Sequence, residues 1–454
     1  MAGFTHAELA QALLGAVRQS LADAPRFDPS PNLDLAVVAL PHDAPPIWAN
    51  VLFSRDFPEG LVADIDTQAG AVQNLRYLAD ARQGSDGTSV AWVAGTDWRQ
   101  LPADTFAPLA GSGAKRFIAP YPASLLKLMV AVGVAHLVDA GRADWDEPWP
   151  FGQAQGGLAP TVAQWAEPMI TTSSNEATSA LVALLHARGL IRRAGWLPGS
   201  MDGEAAAGAE VANGLHQMFE AQGLSTLRLA NTRPDGGWFN SSGAGVGQLQ
   251  MTAWDTVRLL WRLSEPILGL PAMPAMPGTL AAAGSRAPVP APDADPDAIA
   301  PPAPWLPAHS APLLQPDSRQ RFWRWMRGQA LHQVLSSGLV AGLPGWQPGI
   351  PAAVPARWLR TDGQASAGGQ LWPGDLRPLQ AKAEVVFAHK TGTTASYVSN
   401  AGRVVSLQPG GRRYLIALIS TLGSRHAPHA DLATDWCVPR LGAAVDGWLK
   451  QRLG

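Results

Sequence analysis

Ser124, Leu125, Leu126 and Lys127 open a long apolar run, and a spacing of three sets the Ser124 hydroxyl and the Lys127 amine on one helical face. A serine hydroxyl attacks a carbonyl effectively only when a nearby base takes its proton. A lysine enclosed by apolar neighbours loses proton affinity and can act as that base. A helix N-terminus adds N–H donors and positive potential, which suit the oxyanion of acyl attack. The pair also has an ordinary reading, in which the serine caps the helix and the lysine reaches out to water.

Two further clusters change the weighting. Ser173, Ser174 and Asn175 lie some fifty residues on, in a polar loop before another helix, where a hydroxyl and an amide can face a substrate. Their ordinary reading is again a cap. Lys390, Thr391 and Gly392 sit inside an apolar strand-like run, where packing alone disfavours both lysine and glycine. There the lysine suits a substrate carboxylate, and the glycine lets an extended acyl substrate approach the strand. The chain has only five lysines, Lys115, Lys127, Lys382, Lys390 and Lys450, so two of them within such short motifs argue against coincidence.

The elements that must position these groups are legible from periodicity. The run from Ser124 to Gly141 is apolar nearly all round, follows Pro122 and ends at a glycine, which predicts a buried helix. Further helices are predicted within residues 1–25, from about Val162, from about Glu176, over Thr252 to Leu263 and over Ser318 to Leu331. A last helix carries Pro439, which predicts a kink. Leu33 to Leu40 and Thr88 to Gly95 read as strands, and the segments around AEVVFAHKTGTT, NAGRVVSL and RRYLIALIST as an antiparallel meander. The stretch 264–316, dense in Pro and Ala, predicts an extended insertion, and 344–379, rich in Gly, Pro and Trp, a second irregular one.

The expected architecture is mixed α/β: an antiparallel sheet of about five strands, flanked by helices, beside a helical part. We read 1–454 as one catalytic domain, with 1–123 and 383–454 supplying the sheet and 124–382 mainly helical. Formal net charge is −2 and no basic stripe interleaves with aromatics, so nucleic acid and anionic membrane surfaces are not suggested as partners. A small-molecule or peptide-like substrate is expected. The single cysteine, Cys437, excludes an internal disulfide and Cys-based metal clusters. No cofactor or metal is implied: His426, His429 and Asp431 are ligand types at close spacing, but a metal site needs well-placed ligands on a defined scaffold. The N-terminal segment reads as an amphipathic helix, not a leader, and no apolar stretch reaches spanning length.

The three clusters, in this order, resemble the S-x-x-K, S-D-N and K-T-G set of class A β-lactamases and penicillin-binding D,D-peptidases. The similarity extends to RFIAPYPASLLKLMVAVGVAHLVDAG, TVAQWAEPMITTSSNEATSALVALL, SRQRFWRWMRG and FAHKTGTTASYVSNAGRVVSL. The resemblance implies Ser124 as acyl acceptor, Lys127 as proton shuttle and Ser173 as a hydroxyl relaying protons to the leaving nitrogen. It implies Asn175 orienting the substrate amide, Lys390 and Thr391 holding its carboxylate, and the Ser124 and Thr393 N–H groups forming an oxyanion hole. A periplasmic or secreted location would also follow.

The chain departs from that pattern. No E-x-x-L-N segment supplies a deacylating glutamate; Asp235 and Asp255 are the acids of the corresponding region, and Asn240 offers a positioning amide. Ser174 replaces the usual aspartate, and the arginine beyond K-T-G is missing, with Ser399 near its place and Arg403 further on. The loop 236–247 is a candidate pocket wall, and Trp238 a candidate stacking surface. His389 alternates to the strand face opposite Lys390 and reads as structural. Three outcomes stay open: an acyl-enzyme hydrolase of an amide, lactam or peptide-like bond; a β-lactamase with an atypical base such as Asp235; and a slowly deacylating penicillin-binding sensor.

Overall fold

The computed structural model describes residues 3–22, 31–80, 100–102, 105–152, 158–195, 209–238, 250–268, 313–423 and 435–454. Helix α1 (His6–Ala22) buries Leu9, Leu13, Leu14 and Val17, the spacing of one amphipathic face. Strands β1 (Leu33–Ala39), β2 (Ile47–Ser54) and β3 (Phe57–Val62) follow as antiparallel neighbours. A small sheet of β4 (Leu75–Asp80), β5 (Phe106–Ala110) and β6 (Lys115–Ala119) then leads into the turn Ala123–Leu126 and helix α2 (Lys127–Asp139). The strand expected over 88–95 lies outside the described residues.

Helix α2 ends where expected. Gly141 takes a positive φ of 66°, the left-handed conformation that lets a chain leave a helix without steric cost. Helices α3 (Val162–Thr171) and α4 (Asn175–Ala187) follow, with β7 (Ile191–Arg193) and β8 (Glu210–Asn213) as a short ribbon before α5 (Gly214–Ala221). Helices α6 (Ala253–Leu268) and α7 (Pro316–Arg327) flank the stretch 269–312, which with most of the 264–316 insertion lies outside the described residues.

The stretch 344–379 differs from its expected irregularity. It carries β9 (Ala365–Ala367), β10 (Gln370–Trp372) and the short helix α8 (Arg377–Gln380), and it has a core of its own around Val354, Ala365, Trp372 and Leu376. Three-residue strands carry no readable alternation, and the anchors are long-range: Trp346 and Trp358 donate their indole N–H to the carbonyls of Ser337 and Gly328.

The chain closes with β11 (Val385–Thr393), β12 (Val398–Ser406), β13 (Arg413–Ser420) and helix α9 (Cys437–Leu453). The main sheet runs β11-β12-β13-β1-β2-β3, six antiparallel strands against about five expected. Alternation along β1 divides the core. Leu33, Leu35, Val37 and Ala39 meet α1 and α9, whereas Ala36 and Val38 join the larger core of α2, α3, α4, α6 and α7. Pro439 does not kink α9, because it stands in the first turn, where its missing N–H has no intrahelical partner to lose. Among the described residues no helix is long and apolar enough to cross a membrane.

Candidate active site

Ser124 stands in the tight turn Ala123–Leu126 that opens α2. Its hydroxyl caps neither this turn nor α2, has no hydrogen-bond partner, and faces an open cleft. The capping alternative therefore does not account for this serine. Ala123 before it holds a φ of 49°, a strained value for a residue with a side chain. The turn is braced by Leu125 N–H on the Pro122 carbonyl at 3.1 Å and by the Ser399 hydroxyl on the same oxygen at 2.5 Å.

Gly392 of β11 lies directly against this turn. A Cβ there would fall 2.6 Å from the Pro122 carbonyl oxygen and 2.8 Å from the Leu125 nitrogen. The glycine is thus explained by the approach of the strand to the Ser124 turn, and not by room for a substrate. Ser399 is likewise engaged as a brace between β12 and the turn.

Ser173 sits between α3 and α4 with a φ of 62°, and the three residues of its motif divide the work. Ser174 is the helix cap, its hydroxyl accepting from Ala177 N–H at 3.1 Å. Serine and aspartate cap equally well, so the departure at this position leaves the local structure intact. Ser173 and Asn175 turn instead to Lys127. The Lys127 amine meets the Ser173 carbonyl at 2.6 Å, the Asn175 Oδ1 at 2.8 Å and the Ser173 hydroxyl at 3.0 Å. Lys390, on β11, donates to the same Ser173 hydroxyl at 2.9 Å and to the Thr391 carbonyl at 2.7 Å.

Both amines are buried, Lys127 at 2% exposure and Lys390 at 0%. Desolvation pulls Lys127 down to about 7, and the same effect together with the nearby Lys127 holds Lys390 well below the ordinary lysine value. Two of Lys127's partners, the Ser173 carbonyl and the Asn175 amide oxygen, accept only. The third is a hydroxyl that can donate. A neutral Lys127 amine therefore donates to the first two and presents its lone pair to Ser173 O–H, while Lys390 donates into that oxygen. With Lys127 neutral, the hydrogen bonds can run in one direction, from Lys390 through Ser173 to Lys127. No hydrogen bond joins Ser124 to Lys127, although their spacing suggested direct contact.

The cleft, about 330 Å³, is lined by Ser124, Ser173, Thr391 and Thr393, and by Leu331, Gln333, Thr394 and Ala395, which motif reasoning missed. Thr394 and Ala395 lie in the turn directly after the motif strand and were within reach of it. Leu331 and Gln333 follow α7 with no local signal. Trp238 does not line this cleft; it packs against the helical core beside Thr232. Asn240 and most of the loop 236–247 lie outside the described residues, as do His426, His429 and Asp431. Asp235 is engaged by the Arg233 guanidinium at 2.5 Å and by Gly237 N–H at 2.8 Å. Asp255 is turned inward to Thr226 and Arg258.

His389 is fully buried, stacks on Phe387 at 4.2 Å and meets His332 edge-on at 4.4 Å. Arg403 is spent elsewhere, its guanidinium 3.9 Å from the centre of the Trp323 ring.

Among solved structures the chain is similar to PBP-A, at 15% identity over 97% of this chain and 96% of that one, with a TM-score of 0.42. It is similar to an ancestral class A β-lactamase at 14% identity over 97% and 99%, with a TM-score of 0.42. A β-lactamase from Xanthomonas campestris is similar at 12% identity over 99% of each chain, with a TM-score of 0.43. No family model and no curated protein matches the sequence.

Proposed function

We propose that the chain is a serine hydrolase that cleaves an amide, lactam or peptide-like C–N bond through an acyl-enzyme on Ser124. The observation that carries the reading is the Ser173 hydroxyl suspended between two buried amines, beside an unpartnered serine in the same cleft. The motif resemblance gives these groups their roles. Neutral Lys127 turns its lone pair from the Ser173 hydroxyl to that of Ser124 and accepts the Ser124 proton as the oxygen attacks the carbonyl carbon. The N–H groups of Ser124 and Thr393 hold the oxyanion of the tetrahedral adduct. Lys127 returns the proton through Ser173 to the leaving nitrogen, the C–N bond breaks, and Lys390 steadies the Ser173 oxygen throughout. Water then splits the Ser124 ester.

The final step is proposed to be slow. Among the described residues no carboxylate lines the cleft, and Asp235 is held by Arg233 and Gly237. This favours a penicillin-binding enzyme or sensor over a rapid β-lactamase.

The test is intact mass after incubation with a fluorescent penicillin, with Ser124→Ala alongside. A single adduct that persists for hours on the wild type and is absent from the variant is expected. Rapid drug loss without an adduct would overturn slow deacylation, and unchanged labelling of Ser124→Ala would overturn the nucleophile.

A further inference from the structure

The two N–H groups proposed to hold the oxyanion belong to segments far apart in the chain, Ser124 in the turn before α2 and Thr393 at the end of β11. Neither segment alone can align them on one atom, and small misplacements at a reacting centre are costly in rate. One buried side chain touches the backbone of both. Ser399 of β12, at 0% exposure, donates its hydroxyl to the Pro122 carbonyl at 2.5 Å, and the same oxygen stands 3.4 Å from the Gly392 carbonyl. The Gly392 carbonyl and the Thr393 N–H are opposite ends of one planar peptide unit. Ser399 thus reaches from the unit that carries one donor to the turn that carries the other.

The turn needs such a hold. Ala123 keeps a φ of 49°, which a residue with a side chain adopts only at a cost. Rotating the Pro122–Ala123 peptide would relieve it, and would carry the Pro122 oxygen away from both its donors, the Ser399 hydroxyl and Leu125 N–H. The two hydrogen bonds therefore oppose the relaxation that the strain favours. Leu125 N–H acts within the turn, whereas Ser399 fixes the turn against β11 and β12. Tyr121 and Tyr397 join the same segments edge to face at 5.5 Å, so the hydroxyl orients the turn and is not needed to attach it.

Resting on the acyl-enzyme reading above, we infer that Ser399 is a positioning residue of the Ser124 site: through the Pro122 carbonyl it holds Ala123 in its strained form and keeps the Ser124 and Thr393 N–H groups converging on one oxyanion. Ser399 itself does not line the cleft.

Two probes test this on Ser399→Ala. Fluorescent penicillin separates the acylation rate constant from the binding that precedes it. Phenylboronic acid forms a tetrahedral adduct in which the Ser124 oxygen bonds to boron, the serine proton passes to Lys127 and a boron-bound oxygen takes the oxyanion's place. The variant is expected to acylate about tenfold more slowly and to bind the boronate about tenfold more weakly, the worth of one hydrogen bond. Penicillin binding before acylation should stay within about twofold, because the oxyanion is not yet formed. Ser420→Ala is the structural control. Its hydroxyl is equally buried and donates to the Val398 carbonyl of β12 at 3.0 Å, so its loss should lower the denaturant midpoint similarly while both oxyanion readouts stay within about twofold. Ser399→Cys keeps a weaker donor in place and should fall between Ser399→Ala and the wild type; it carries the test if Ser399→Ala does not fold. Acylation and boronate affinity at wild-type levels in either folded Ser399 variant overturn the role. So does a loss confined to penicillin binding, or one that Ser420→Ala reproduces. A wild type in which neither probe forms an adduct on Ser124 overturns the acyl-enzyme reading, and this inference with it.

Discussion

Gly392→Ala tests whether the motif glycine serves the turn that carries Ser124. The new methyl would stand 2.6 Å from the Pro122 oxygen, 2.8 Å from the Leu125 nitrogen and 2.4 Å from the Ser399 hydroxyl. Contacts of carbon begin at roughly 3.5 Å, so the two backbone atoms are about 0.7 to 0.9 Å too close. Ser399 cannot relieve this by rotating, since its hydroxyl also braces Pro122. Strand and turn must separate, carrying Ser124 away from Thr391 and Thr393. Overpacking of this kind costs ~1–3 kcal/mol of stability. A displacement approaching 1 Å at a reacting atom costs about a hundredfold in rate. The assay is the rate of Ser124 acylation by fluorescent penicillin, followed by intact mass, with denaturant unfolding in parallel. Gly447→Ala in α9 is the control, because its methyl meets nothing within 4 Å and helix propensity alone should make it neutral or slightly stabilising. Acylation within about threefold of the wild type in a folded Gly392→Ala protein would refute the account.

With neutral Lys127 as the proposed base, acylation should rise with pH through about 7 and then level; a flat profile from pH 6 to 8 would count against it. Lys127 titrates lower in the folded chain than its ordinary 10.5, so the unfolded chain holds the extra proton between about 7 and 10.5. The burden of burying this amine is therefore greatest below 7 and fades towards 10.5, up to ~5 kcal/mol. Denaturant midpoints should show Lys127→Met losing ground to the wild type as pH rises across that window. Asp34 behaves in the opposite sense. Burial raises its carboxyl from 3.8 to about 6, so the folded chain holds the extra proton and stability is lost as pH rises through 6. Asp34→Asn should flatten that slope, by roughly 3 kcal/mol between pH 4 and 6.5, in urea unfolding. Arg403→Met should cost ~1–2 kcal/mol through its lost contact with Trp323 yet leave acylation within about twofold, since the guanidinium does not line the cleft.

What was legible in the sequence was whatever declares itself locally. The run Leu33–Ala39 is buried on both faces and reads as a strand from its residues alone, and Gly141 announces the end of α2. A lysine inside the apolar strand 385–393 is conspicuous from the residues alone, and so is a second lysine in a short motif far upstream. Contacts that join distant stretches were not legible. Gly392 meets Pro122 across some 270 residues, and nothing near either position signals it. Gln333, which lines the cleft, looks like any other glutamine, and its neighbour Gln329 is a brace on the Ile170 carbonyl. The small core of 344–379 escaped because its Trp side chains find their partners through packing, not period.

The choice of lysine at positions 127 and 390 is itself an argument about chemistry. Of 34 basic residues only five are lysines, so arginine is this chain's usual cation. A guanidinium keeps its charge even when buried, and its fork suits carboxylates. At 2% and 0% exposure, two permanent charges sharing one hydroxyl would face both desolvation and mutual repulsion. A buried lysine loses proton affinity through desolvation, and a lowered proton affinity is also what the base role proposed for Lys127 requires. The burial that makes these sites costly for arginine therefore makes the lysines useful. By the same reasoning Lys127→Arg should fold with its charge trapped and fail to acylate, although charge and approximate reach are conserved. An active Lys127→Arg protein would place the base elsewhere.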